Sequence, residues 1–270
     1  MVASMKSVFL MNIEKLKYIK RFLLHGGNMI KTVMFNFKLL PFNEAIHLPI
    51  FLYGEVDISQ CTGQIKWITS NYPEMGSWII GQSDCRVNGF GNYNVTRIAV
   101  LGTLILGETG RISNGCRVYI RKEAIVQLGT NFLLNDNGRI GCYLKIIIGN
   151  NVRFSWDCQV FDTDFHYLVN KDNTIKPNKF PVFVGDNVLI GNRVTLSKGA
   201  AIGDNSTIAS NSLINHDFKN CDHVILAGIP GKIIKQNYRT LLDWEQENDV
   251  DKYFYKYPKS NTYSLSENES

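Results

Sequence analysis

The chain has 270 residues, of which 44% are hydrophobic and 20% charged, with 22 Gly and 7 Pro. That is a globular composition with enough apolar surface for a sizeable core, and it excludes bulk disorder and a collagen-like fibre. The net charge of +5 is uneven: residues 1–40 hold seven Lys and Arg against Glu14 alone, while the rest is nearly neutral, which argues against a nucleic-acid partner.

In chain order, the N-terminus offers no apolar run near the roughly 18 residues that span a bilayer. Lys6 precedes only Ser7 to Met11 before Asn12 interrupts, too short for the apolar region of a signal peptide. A cytoplasmic protein is the expectation. Ile13, Leu16, Ile19 and Leu23 recur at helical spacing with Lys15, Lys17, Lys20 and Arg21 mostly between them, so a helix is predicted, stopped by Gly26-Gly27. A second aromatic and basic segment, Met29 to Leu40, ends at Pro41. Residues 1–50 therefore read as a basic helical segment. It either caps the main domain or touches anionic lipid head groups as a peripheral contact at the inner face of the membrane.

From about residue 51 to 235 short β-branched runs alternate with Gly, Asn and Asp. Val184, Ile190, Leu196, Ile202, Ile208 and Ile214 step by six without a break, and Ile148, Phe154 and Val160 share their phase. Leu128, Leu134, Ile140 and Ile146 also step by six, two residues out of phase. A period of six fits neither a free helix nor a hairpin. It fits a chain coiling through flat faces, one hexad per face, with each aliphatic pointing inward and Gly, Asn or Asp at the corners. The fold predicted is all-β, a parallel β-helix of hexapeptide repeats with helical N- and C-terminal additions. The six cysteines form no C-x-x-C pair and read as reduced, mostly buried thiols.

The six-step pattern fails over residues 166–183, which read as a loop extruded from the coil and are a candidate for function. Residues 236–270 read as a helix from Tyr238 to about Asn248 followed by a disordered Ser/Asn/Glu-rich tail from 257. His166 opens the loop within Asp162-Thr-Asp-Phe-His166. In an extended chain Asp162, Asp164 and His166 would share a face, and a carboxylate beside an imidazole fixes its tautomer and raises its basicity. On spacing alone, a surface histidine with incidental acids remains the competing reading.

Three features carry a resemblance over residues 148–235: Ile148-Gly-Asn-Asn-Val152, the Asp-Thr-Asp-Phe-His run before the loop, and the closing Ala227-Gly-Ile-Pro-Gly-Lys232. They resemble the left-handed β-helix acyltransferases of the galactoside and maltose acetyltransferase group. With Lys31-Thr-Val-Met-Phe-Asn-Phe-Lys-Leu-Leu-Pro-Phe42, they are most similar to O-acetyltransferases of surface-polysaccharide synthesis. The resemblance implies a homotrimer with sites between subunits, acetyl-CoA as co-substrate, a saccharide acceptor and no metal. It implies His166 as general base supported by Asp164, with Trp156, Asp157 and Asp162 on the acceptor side. Asn192, Ser210, Asn215, Lys232 and Lys235 match cofactor contacts, the lysines suiting nucleotide phosphates and a backbone N–H near Asn192 the oxyanion. Departures are Asp157 where the family often has Asn, Leu189 where an aromatic is common, and Pro-Gly-Lys for Pro-Ala-Lys. Alternatives are an acyltransferase for serine, an amino sugar or an antibiotic, and a non-catalytic β-helix assembly protein. A zinc enzyme of the carbonic anhydrase type is disfavoured, because His216 and His223 lack the spacing to join His166.

Overall fold

A computed structural model describes residues 14–69, 73–83 and 94–265. Lys6, Ser7, Met11, Asn12 and Ile13, named above, lie outside them, as does Cys85, one of the six cysteines. Strands run from Ile50 to Gln236, and every third strand along the chain joins the same sheet. The result is three long sheets, all of them parallel until the final antiparallel pair, Val224–Gly228 with Gly231–Gln236. The architecture is the left-handed parallel β-helix of hexapeptide repeats.

The hexad residues make its core. In the first sheet Phe154, Ile190 and Ile208 pair in register; in the second Ile140, Val160, Leu196 and Ile214; in the third Ile148, Val184 and Ile202. All are buried, and each such side chain contributes roughly 1.5–3 kcal/mol by leaving water. The two phases seen in the sequence have a simple cause. Alternate residues of a strand face the same way, and Ile146 and Ile148 both point inward, opposite Val182 and Val184. Leu128, Leu134 and Ile140 pair in register with Ile148, Phe154 and Val160, twenty residues on, so these members of both phases mark the same inward position. The step from Ile140 to Ile148 is eight residues in place of six, and Ile146, the other inward residue of that strand, falls in the upstream phase because of that offset.

Three corners join the sheets. The corner from first to second sheet places Gly115, Asn137, Asp157, Arg193 and Asn211 at positive φ; the corner from third back to first does the same with Asn131, Asn151, Asn187, Asn205 and His223. Asn and Asp tolerate this left-handed backbone because a short polar side chain bonds locally.

The N-terminal end of the coil is covered. The helix Met29–Leu39, capped by Asn28 Oδ1 accepting from Lys31 N, lies against the free edge of the first strand, Ile50–Leu52. Its buried Asn36 donates to Ile50 O and accepts from Ile50 N, while Thr32 Oγ1 accepts from Leu52 N. An edge that would otherwise pair with another chain is thus satisfied by side chains. The preceding helix, residues 14–24, packs through Tyr18 and Phe22 onto Phe51 and Tyr53. The expected apolar stripe is therefore displaced: Leu16 and Leu23 are exposed and the aromatics take the inward face.

Two further expectations shift. The excluded segment lies between Gln159–Phe161 and Val182–Val184, so it covers residues 162–181 and His166 stands four residues inside it. The C-terminal helix is Trp244–Lys256, begun by Asp243, whose side chain accepts from Gln246 N, and not the Tyr238–Asn248 read from the sequence. Tyr263, in the segment expected to be disordered, packs its ring 5.0 Å from that of Tyr253; residues 266–270 lie outside the described residues.

Candidate active site

The chain leaves the coil at the corner between second and third sheets. Asp162 marks the exit. It is fully buried, and its carboxylate accepts from the backbone N–H groups of Tyr143 (2.8 Å), Leu144 and Lys145 (both 2.7 Å) in the coil below. A carboxylate so used is held inward and cannot meet an acceptor. The extended run that would have put Asp162, Asp164 and His166 on one face does not form. Phe165 takes φ 63°, and His166 N donates to Asp164 O at 2.7 Å, so the backbone turns between them.

Beyond that turn the segment doubles back on itself. Thr163 bridges Lys179, Val169 bridges Ile175, and Asn170 Oδ1 accepts from Asp172 N and Thr174 N at the tip. The arm exposes Tyr167, Leu168, Val169 and Ile175. His166 is exposed at its base, and among the described residues no hydrogen bond or ion pair engages its imidazole. Asp164, expected to orient that ring, instead pairs with Lys198 Nζ from the same corner of the next coil. Lys198 also lies 5.7 Å from the centre of the Phe180 ring. Sequence reasoning missed Lys198; its signal was its place at the corner one coil beyond the excluded segment.

An aromatic cluster also missed by sequence reasoning adjoins His166. Phe165 packs edge-on against Tyr143 (5.3 Å) and Phe161 (5.4 Å), Tyr143 contacts Tyr119 (5.5 Å), and the Arg121 guanidinium lies 5.6 Å from the Tyr143 ring centre. The only sequence signal for it was the register that stacks these coils.

The remaining predicted residues fall elsewhere. Trp156, Asn192 and Ser210 stand above one another at the corner between first and second sheets, where Arg193 N donates to Trp156 O and Asn211 N to Asn192 O. Ser210 Oγ donates to Asn192 Oδ1. Asp157 is exposed on the same corner with φ 60°. Asn215 sits on the second corner, its Oδ1 2.5 Å from His216 Nδ1. Lys232 and Lys235 lie on the closing antiparallel strand, Lys235 Nζ being 4.8 Å from the centre of the Tyr238 ring. The second sheet therefore separates His166, Lys198 and Asn215 on one corner from Trp156, Asp157, Asn192 and Ser210 on the other. A groove of about 720 Å³ between the first sheet and Leu242–Glu245, lined by Arg111 and Arg153, holds none of the predicted site residues.

Burial pushes the thiols of Cys61, Cys116, Cys142 and Cys158 up, that of Cys158 to about 11. These four stay protonated and make poor nucleophiles. Among the described residues no three His, Cys, Asp or Glu side chains converge as metal ligands would, and no helix is long and apolar enough to cross a membrane.

Residues 181–216 match the model of the bacterial transferase hexapeptide (six repeats). The chain is 30% identical over 140 residues to the galactoside O-acetyltransferase of Escherichia coli K12, covering 51% of this chain and 62% of that enzyme, so the match spans less than two thirds of it. It is 27% identical over 175 residues, 60% of this chain and 85% of the relative, to the E. coli K12 protein named "Putative lipopolysaccharide biosynthesis O-acetyl transferase WbbJ". Among solved structures, galactoside acetyltransferase in complex with coenzyme A matches 78% of this chain and 86% of that one at 18% identity, with a TM-score of 0.35.

Proposed function

Because residues 181–216 match the hexapeptide-repeat model, we propose that the chain belongs to that family and is an acetyl-CoA-dependent O-acetyltransferase acting on a saccharide hydroxyl, with His166 as general base. The observation that carries this reading is an exposed imidazole, unpaired among the described residues, at the base of an arm excluded from the coil between Gln159–Phe161 and Val182–Val184. The neutral ring accepts the proton of the acceptor hydroxyl as its oxygen attacks the thioester carbonyl. The tetrahedral intermediate expels the coenzyme A thiolate, which recovers that proton from the imidazolium. Transfer is direct, consistent with four buried cysteines held as thiols. The oxyanion is met by a backbone N–H near Asn192: the flanking Gly191 N and Arg193 N donate to Ile208 O and Trp156 O, whereas Asn192 N donates in none of the described hydrogen bonds. Lys232 and Lys235, both exposed, are placed to meet the nucleotide phosphates as point charges.

Such a site needs both corners of the second sheet, and one chain holds them apart. Two copies bring them together if the His166 corner of one faces the Asn192 corner of the next. This supports the homotrimer, as do the exposed apolar residues of the arm and the half-buried Ile105, Ile125, Ile147 and Phe183 on the outer face of the third sheet. The enzyme would work at the inner face of the membrane. Exposed Leu16, Leu23, Leu24, Ile30, Met34 and Phe37 lie among Lys15, Lys17, Lys20 and Lys31, a mixture suited to an anionic lipid surface. Sedimentation alone and with anionic vesicles tests both: a particle of three chains, and co-sedimentation lost at high salt. A monomer, or binding indifferent to lipid charge, would reject them.

The catalytic reading is tested by His166→Ala, with acetyl transfer to a saccharide panel followed by mass analysis. Removing a general base costs about 10²–10⁴ in rate. Coenzyme A affinity, measured separately, should stay within about twofold, since its contacts are assigned to other residues. Turnover near wild type with acceptor saturating would refute His166 as the base.

A further inference from the structure

The outer face of the second sheet carries three arginines in one row. Arg97 pairs in register with Arg117, and Arg117 with Arg139, on successive coils. Their inward neighbours Ile98, Val118 and Ile140 are buried and all three arginines are exposed, so the guanidinium groups stand side by side on the same surface. Neighbouring strands lie about 4.8 Å apart, which sets the rise from one cation to the next. Like charges directly opposite one another are destabilising in a sheet. The chain relieves only one end of the row: Arg97 Nε is 3.7 Å from Asp57 Oδ2. Among the described residues neither the Arg117 nor the Arg139 side chain has an acidic partner or a hydrogen bond, and the row runs on into Gln159, whose Nε2 donates to Thr195 Oγ1.

The row also leads to the proposed base. Tyr119 follows Arg117 on the same strand, with Arg121 just past its end, and Gly141 follows Arg139. Gly141 leaves room above the coil: a Cβ there would meet the Phe161 ring at 2.5 Å. Phe161, Tyr143 and Tyr119 then connect through ring contacts to Phe165, the residue before His166. Cations on one side and aromatic rings on the other form a continuous strip from Arg97 to the imidazole.

We infer that this strip is the acceptor track, and that the acceptor is an extended anionic saccharide whose carboxylates lie along Arg97, Arg117 and Arg139 while one sugar meets the aromatic cluster at His166. This rests on the acetyltransferase reading for its chemistry but not for its binding. A chain with one carboxylate per sugar offers negative charges at a spacing similar to that of the rungs, and guanidinium groups pair with carboxylates through two parallel hydrogen bonds. Aromatic rings present apolar faces to the C–H faces of a sugar while leaving its hydroxyls free. The body of the chain is nearly neutral in total, so the row arises from register and not from composition.

The test compares wild type with the double variant Arg117→Gln/Arg139→Gln, using oligogalacturonate and a neutral malto-oligosaccharide of equal length as probes. Binding is read by calorimetry at low and high salt, without acetyl-CoA. Wild type should prefer the anionic probe, and the preference should fade with salt. The variant should bind oligogalacturonate about tenfold more weakly, the worth of two exposed charge pairs. Its melting temperature should not fall, because like-charge repulsion is removed. Equal binding of the two probes would overturn the inference, as would a single-stranded oligonucleotide of equal charge binding more tightly. A loss of coenzyme A affinity in place of oligosaccharide affinity would assign the row to the nucleotide. A lower melting temperature or a changed particle mass in the variant would assign it to the fold or to the contact between copies. Anionic preference without acetyl transfer in wild type would leave the track standing and refute the catalytic reading.

Discussion

Two corners of the same coil have been put to opposite uses. At the corner from third to first sheet, Asn131, Asn151, Asn187 and Asn205 stack at positive φ, the Nδ2 of each donating to the Oδ1 of the one above. Beside them Asp186, Asp204 and Asp222 accept from Asn150 N, Asp186 N and Asp204 N. Polar groups there are matched to partners one coil away, and the corner repeats. At the corner from second to third sheet nothing repeats: Tyr143, then the excluded arm with His166, then Lys198, then Asn215 and His216. The difference teaches how to read a solenoid. Where polar side chains satisfy their neighbours they hold the coil, and where they are left to face outward they are available for chemistry.

The contrast breaks most sharply at Asp162, a carboxylate that sits on the second corner yet behaves like the first kind. Its two oxygens take three backbone N–H groups in a dry site. Asp162→Asn turns one acceptor oxygen into a donor facing donors, so at least one N–H is orphaned. The loss of charge-assisted bonds plus an unsatisfied buried donor should cost about 3 kcal/mol, read as a lower midpoint in urea. Asp162→Ala should cost at least as much. A variant of unchanged stability that lost turnover would instead place this carboxylate in the chemistry, as the sequence had suggested.

Asp162 also shows where legibility stops. The hexads from Leu128 to Ile214 were readable because a packed core repeats its demand at every turn, and burial follows that register. His166 was readable as a histidine beside an interruption. Its surroundings were not, because alternation along an extended run was assumed and Phe165 turns the chain out of it. The partnership of Asp164 with Lys198 joins residues from different coils, and so does the arginine row. Contacts of this kind depend on coil length and corner geometry, which spacing within a single hexad does not encode. Leu16 and Leu23 fail for a related reason: helical periodicity gives two faces, and the aromatic pair Phe51 and Tyr53 selected the one bearing Tyr18 and Phe22.

A smaller effect sharpens the same comparison from the other corner. Asn187 has φ 58°, accepts from Asn151 Nδ2 at 2.9 Å and donates to Asn205 Oδ1 at 3.2 Å. Asn187→Ala removes both bonds and leaves a Cβ on a left-handed residue that no longer has a polar group to compensate. The left-handed backbone alone costs about 1–2 kcal/mol for an ordinary side chain, and two half-buried side-chain hydrogen bonds add about 0.5 kcal/mol each, so a loss near 2–3 kcal/mol is expected. Asn187→Gly loses the same bonds but accepts the backbone freely, so its loss should be nearer 1 kcal/mol. The gap between the two variants measures the backbone term and the Gly value the ladder. Acetyl transfer per folded molecule should be unchanged in both, because Asn187 touches none of the residues assigned to the site. Equal losses for Ala and Gly would mean that hydrogen bonding alone keeps asparagine at this corner, and a fall in turnover at full stability would show that the two corners are not separate in function.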